Sequence, residues 1–250
     1  MSPLLVLLDR FVVGAVASVG AVTYYATPLE VVQRAGVVPV AIGTVIFPAL
    51  AASVLADPRH AREFFANAPR LCLLGIFPIL FVLVLWTHEG LDLWLGAAFA
   101  SESSVVVRWV APGLLLNALG CASLFALQAA GRPDLPARFH VLELIGYVPL
   151  LWWRARRYGL EGAAIAWSVR VGVAALLLTF AALQRFPLGP GAALRLLVAS
   201  GSGLACLGIA SALAATTVKV VLTAVVVVGF AVLSYRLLSA AARELGSVAR

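Results

Sequence analysis

Three pairs of charged residues stand inside stretches that are otherwise apolar: Asp9 and Arg10, Glu30 and Arg34, and Glu143 and Arg170. At the centre of a bilayer such a charge costs about 2.5–3.5 kcal/mol, so each needs a counter-charge, a wet cavity or a substrate. Asp9 and Arg10 adjoin in sequence, and adjacent side chains on a helix diverge by roughly 100°, so they do not simply neutralise each other. Arg10 either lines a hydrophilic cavity or makes an ion pair between helices; for Asp9 the structural ion pair is the expectation. Glu30 and Arg34 stand at i and i+4 with the acid first, the favourable order for a pair on one helix. They either compensate each other, or Arg34 reaches a phosphate. Glu143 and Arg170 lie about eight and eleven residues into consecutive apolar runs. They either pair across antiparallel helices, or Glu143 exchanges protons or binds a cation.

The elements that position these residues follow from composition. Of 250 residues 63% are hydrophobic and 12% charged, with a mean hydropathy of +1.05. A soluble domain is about 25% charged, so the surface of this chain is not one for water. Its apolar runs are about 20 residues long, the length of a bilayer-spanning helix, and lack the alternation of a membrane β-barrel. The sequence therefore predicts an all-α bundle of about eight transmembrane spans, near residues 3–18, 22–52, 68–87, 104–130, 135–153, 159–184, 192–216 and 218–238. The second carries Pro28, Pro39 and Pro48, and each proline removes a backbone donor, so a bent helix is expected. Asn117 and Gln128 are expected to make hydrogen bonds between helices. Arg108 and His140, closer to span ends, are expected to snorkel to the interface. Gly14/Ser18 and Gly162/Ala166 are small-xxx-small pairs that let helices approach closely.

Loop arginines set the orientation. Ten basic residues fall on the side shared by both termini and four on the other, which predicts a cytoplasmic N-terminus and C-terminus. Trp86, Trp94, Trp109, Trp152 and Trp153 map to the opposite side, as an aromatic belt would, with the acidic loop of Glu89, Asp92 and Glu102. The cluster Arg154, Arg156 and Arg157 runs against the count.

The net charge of +7 is spread over short loops, with no concentrated basic stripe for nucleic acid. Cys72, Cys121 and Cys206 each stand alone, and His60, His88 and His140 are widely separated, so neither a disulfide framework nor a metal site is indicated. A phosphate loop ending in Gly-Lys-Ser/Thr is missing. With no catalytic triad and no paired carboxylates, an enzyme is not expected and no cofactor is implied. Arginines at membrane depth suit a phosphate-bearing substrate, because the planar guanidinium fork matches phosphate oxygens.

Several stretches, in this order and spacing, resemble a known family. They are Asp9-Arg10-Phe11-Val12-Val13-Gly14, Tyr24-Tyr25-Ala26, Phe47-Pro48-Ala49-Leu50 and Leu93-Trp94-Leu95-Gly96-Ala97-Ala98-Phe99. The run from Gly131-Arg132-Pro133-Asp134-Leu135 to Tyr158-Gly159-Leu160-Glu161-Gly162-Ala163-Ala164 completes the set. Over residues 1–184 the chain resembles the Wzx-type polysaccharide and O-antigen flippases, a branch of the multidrug/oligosaccharidyl-lipid/polysaccharide exporter superfamily.

The resemblance implies that residues 1–186 form the second of two six-helix lobes and residues 187–250 an additional helix pair with a short cytoplasmic tail. It implies export of undecaprenyl-pyrophosphate-linked oligosaccharide across the bacterial inner membrane, for cell-surface polysaccharide biosynthesis, coupled to an ion gradient. Arg10 and Arg34 match positions that would face the pyrophosphate; Asp9, Glu30, Glu143 and Arg170 would serve ion coupling or structural ion pairs. The expected partners are the lipid-linked oligosaccharide, membrane lipids and a missing N-terminal lobe or second chain, because alternating access needs two bundles around one site. The favoured expectation is that Met1 is not the true start. Competing readings are a drug/cation antiporter of the same superfamily, a non-transporting membrane assembly protein, and a gene remnant.

Overall fold

The computed structural model describes residues 3–248, with nine helices and no strand among them. They are α1 (Pro3–Val16), α2 (Val19–Arg34), α3 (Val37–Ala56), α4 (Pro58–Leu85), α5 (Thr87–Leu95), α6 (Ala97–Ala129), α7 (Asp134–Arg185), α8 (Pro190–Ala212) and α9 (Thr216–Val248). Among the described residues five helices are long and apolar enough to cross a membrane, with α2 and α3 counted together as Val19–Val54. The chain is a polytopic all-α membrane bundle. It divides into two compact units, residues 1–211 and residues 212–250. The second unit consists of α9, whose apolar part is Thr216–Val232.

α6 is the central strut of the first unit, packing against α2, α3, α4, α5 and α7. Its contact with α7 is close because small residues meet there. A Cβ added to Gly113 would lie 2.8 Å from Ser168 Cα, and one added to Gly120 would lie 2.9 Å from Ala175 Cα. Both pairs advance by seven residues in the same sense, so this seam runs between parallel segments, closed by backbone approach. Gly14 and Gly162, picked out by spacing, serve other contacts. Gly14 faces Val22, and Gly162 faces the Arg154 backbone.

The contact at Gly162 reveals what α7 is. In a straight helix residues 154 and 162 would be about 12 Å apart, yet a Cβ on Gly162 would lie 2.0 Å from the Arg154 carbonyl oxygen. Gly159, at φ 57° and ψ −135°, turns the chain back on itself. That backbone region is essentially closed to side-chain-bearing residues. α7 is thus a helical hairpin with arms 134–158 and 160–185. This is the antiparallel pair expected for the fifth and sixth runs, with a tighter turn than a loop would give.

The long second run is bent, as expected: α2 and α3 follow one another through Ala35 and Gly36, both in the right-handed helical region, as the single span Val19–Val54. The bend lies one turn before Pro39. Pro39 has no N–H to offer the Ala35 carbonyl, which accepts instead from Val38 N at 3.1 Å. Pro28 and Pro48 lie inside α2 and α3 without breaking them. The acidic stretch expected as a loop is largely helical, with Glu89 and Asp92 on α5 and Glu102 near the start of α6.

Helix ends are set by local chemistry. Asp57 caps α4, accepting from Arg59 N at 2.9 Å, with Pro58 at the first helical position. α6 ends in a Schellman turn at Gly131 (φ 70°), where Gly131 N bonds Gln128 O and Arg132 N bonds Leu127 O. The Arg132 side chain then grips Asp134 at 3.0 and 3.2 Å, at the first turn of α7. An apolar core including Leu50, Phe65, Leu127 and Phe186 joins α3, α4, α6 and the end of α7.

Candidate functional site

The intramembrane charges gather on α1, α2 and α7. Asp9 is 1% exposed. Its Oδ1 accepts the backbone N–H of Arg10 at 2.9 Å, and its Oδ2 accepts the Tyr25 hydroxyl at 3.1 Å. The Arg10 side chain turns elsewhere, as the divergence of helix neighbours requires. Its Nη2 donates to Glu30 Oε1 at 2.6 Å, with the side chains 27% and 49% exposed. Arg10 and Glu30 are therefore an ion pair across the α1–α2 contact, open on one side.

Glu30 does not pair with Arg34. Arg34 is the last residue of α2, exposed, and makes no hydrogen bond or ion pair among the described residues. A cation there is favoured by the negative end of the helix dipole without a carboxylate partner. Because Arg34 follows Glu30 by four residues, both stand on one face of α2. Of the two cations, Arg10 alone is paired with Glu30.

A second cluster lies on the α7 hairpin. Arg170 Nη1 donates to Glu143 Oε1 at 2.6 Å, and these side chains are 8% and 6% exposed. Twenty-seven residues separate them. They meet because the turn at Gly159 folds one arm against the other. Glu143 Oε2 also contacts His140 Nδ1 at 3.0 Å, so His140 turns towards the carboxylate instead of snorkelling. The guanidinium of Arg170 lies 4.8 Å from the ring centroid of Tyr147, a cation–π contact in a dry site. Arg170 also stands within electrostatic reach of Asp9, which links the two clusters.

Two cavities flank the buried pair. One of about 310 Å³ is lined by Glu143, Tyr147 and Arg170 with apolar neighbours of the two α7 arms. The other, of about 240 Å³, adds Asn117 and Cys121 of α6 and Val40 of α3 to His140, Glu143 and Arg170. Among the described residues, Arg170 Nε and the Tyr147 hydroxyl, which line the first cavity, and Arg10 Nε on α1 are buried donors without a hydrogen-bond partner. A buried donor left unmatched costs free energy, so each is a place where an acceptor oxygen would be stabilised.

Tyr25 and Tyr147, both fully or nearly fully buried, belong to this network and were missed in the sequence. A tyrosine in an apolar run reads as packing; the signal was its hydroxyl, which needs a partner when buried. Among the described residues Asn117 and Gln128 make no side-chain hydrogen bond. Helices are tied instead by Ser103 Oγ to Tyr24 O at 3.0 Å, the Ser123–Thr179 hydroxyl pair at 3.1 Å and Ser168 Oγ to Trp109 O at 2.5 Å. Arg108 lines a cavity beside Trp109, whose indole donates to Glu161 at 2.9 Å.

No family model matches the chain, and no solved structure matches it. A curated protein of Shigella flexneri named "Putative O-antigen transporter" is 34% identical over 181 residues, which are 71% of this chain and 42% of that protein. The chain spans less than half the length of the curated relative it matches. Over most of its length this chain is thus similar to a protein named as an O-antigen transporter, in agreement with its resemblance to the Wzx-type flippases.

Proposed function

We propose that the chain serves export of a lipid-linked, pyrophosphate-bearing oligosaccharide across the bacterial inner membrane, for surface polysaccharide assembly, and that it forms one lobe of the exporter. The observation that carries this reading is the open ion pair of Arg10 and Glu30 with Arg34 one turn further on. Charges exposed on the face of a membrane helix pair cannot look onto hydrocarbon without the insertion cost of each. They look onto water, a second protein surface or a charged substrate. Arg10 paired with Glu30, and Arg34 without a counter-ion, leave net positive charge on that face, and a pyrophosphate complements it.

In this reading residues 1–186 are the six-helix lobe and residues 187–250 the additional pair, with both termini in the cytoplasm. A second lobe or a second chain supplies the opposite wall of the cavity. The Glu143–Arg170 pair holds the two arms of α7 together and Asp9 ties α1 to Tyr25 of α2, and Glu143 with His140 is the place for coupling to protons or cations.

The test is Arg34→Ala in the gene as it stands in its host, with surface polysaccharide and membrane abundance measured together. Loss of a charge-assisted bond to phosphate, about 1.5–3 kcal/mol, predicts export lowered about tenfold or more at unchanged abundance. Normal export at normal abundance would remove Arg34 from the site.

A further inference from the structure

The largest cavity described in the first unit lies away from the charged face of α1 and α2, between α4, α6 and α8. It measures about 470 Å³. Arg70, Leu73, Leu74 and Phe77 line it from α4, at the spacing of one helix face. Arg195, Ala199, Gly203 and Cys206 line it from α8, again on one face, and Leu115 of α6 forms the back. A Cβ on Gly203 would lie 3.6 Å from Phe77 Cδ2, which sets the register of the two helices. Arg70 stands seven residues before Phe77 and Arg195 eight before Gly203, so in parallel helices both cations come to the same level.

That level has a meaning in the sequence. Arg70 is the last charge before the apolar run 71–85, and Arg195 the last before the apolar part of α8. Both therefore mark the edge of the hydrocarbon, where headgroups lie. From Arg195 to Cys206 the apolar wall runs eleven residues, about 16 Å along the helix. Among the described residues Arg195 spends only its Nε, on Gly191 O at 3.0 Å, and Arg70 makes no hydrogen bond or ion pair. Among the described residues no carboxylate lines the cavity. Leu74 is 43% exposed and Ala199 is exposed, so the groove is on the outer surface of the first unit.

We propose that this groove binds one anionic phospholipid, its phosphate between Arg70 and Arg195 and an acyl chain along Phe77, Leu115, Ala199 and Cys206. Two unpaired guanidinium groups at the mouth of an apolar groove complement a phosphate joined to a hydrocarbon chain, and neither half alone would use both features. The site is built on helices other than those of the substrate face, so it stands or falls independently of the export reading.

Cys206 gives the readout. It is partly exposed and lines the groove, whereas Cys72 and Cys121 are buried. The purified full chain in a non-ionic detergent is treated with N-ethylmaleimide, and modification of each cysteine is followed by peptide mass spectrometry. Phosphatidylglycerol should slow modification of Cys206, while phosphatidylcholine at the same concentration and glycerol 3-phosphate should not. In the Arg70→Gln/Arg195→Gln variant the phosphatidylglycerol needed for half-protection should rise about fivefold per charge removed, about twenty-five-fold in all. Unreactive Cys72 and Cys121 report that the variant is folded. If they react, the comparison of the lipids on the unmutated chain decides alone. Equal protection by phosphatidylcholine, unchanged protection in the folded variant, or protection by glycerol 3-phosphate as strong as by the lipid would each overturn the proposal.

Discussion

Two ion pairs of the same length, 2.6 Å, sit in very different surroundings. Arg10–Glu30 joins α1 to α2 with side chains 27% and 49% exposed, while Glu143–Arg170 joins the two arms of α7 at 6% and 8%. An exposed pair is worth little, about 0–1 kcal/mol, and can exchange partners easily. A buried pair has lost its water, and removing one member leaves a bare charge that costs about 3–5 kcal/mol. Distance alone would rank the pairs equal. Exposure separates a pair that is free to exchange partners from one that locks a hairpin.

The comparison breaks most visibly at Glu143. Glu143→Leu should lower stability by about 3–5 kcal/mol, read as thermal unfolding in micelles, because Arg170 is left buried and unpaired. Glu143→Leu combined with Arg170→Met should recover most of that loss. A single variant costing less than about 1 kcal/mol would mean that Asp9 replaces Glu143 as the counter-charge.

Next comes the turn that brings the buried pair together. Gly159→Ala places a side chain at φ 57°, ψ −135° and should cost about 1–3 kcal/mol in the same unfolding measurement. Ordinary stability would show that the hairpin can close with another backbone geometry there.

The exposed pair should behave in the opposite way. Glu30→Gln should change stability by less than about 1 kcal/mol, since Arg10 keeps access to its open side. A cost as large as that of Glu143→Leu would erase the distinction.

The smallest effect belongs to a carboxylate outside the spans altogether. The backbone N–H groups of Arg59 and His60 hold the Asp57 carboxyl below its usual range. Its contribution to folding is complete above the ordinary aspartate pKa of about 3.9 and is lost as pH falls through the lower folded value. Asp57→Asn should therefore flatten the acid side of the stability profile and leave neutral pH nearly untouched. An identical acid slope in both proteins would assign the slope to other carboxylates.

Much of this arrangement is legible in the residues. The apolar runs mark the bundle, and intramembrane charges announce themselves because each is expensive in lipid. Partner choice is less legible. Glu30 has Arg34 at the ideal helical spacing, but a cation from α1 outcompetes it, and spacing along one helix says nothing about a neighbouring helix. Tyr25 and Tyr147 escape notice because an aromatic ring in an apolar run has an ordinary packing role. The three prolines of the second run look equivalent, yet Pro39 alone coincides with the bend, at the residue whose carbonyl it fails to serve. The close seam of Gly113 and Gly120 against Ser168 and Ala175 spans two segments, so neither motif is visible within one.

The most direct test of the central distinction is polysaccharide export in host cells whose own gene carries Arg10→Gln, normalised to the amount of protein in the membrane. Export lowered about tenfold or more at normal abundance is expected, because an open arginine is lost from the face proposed to bind phosphate while the buried pair stays intact. Full export at normal abundance would contradict it, and would leave Arg10–Glu30 as a structural pair like the other.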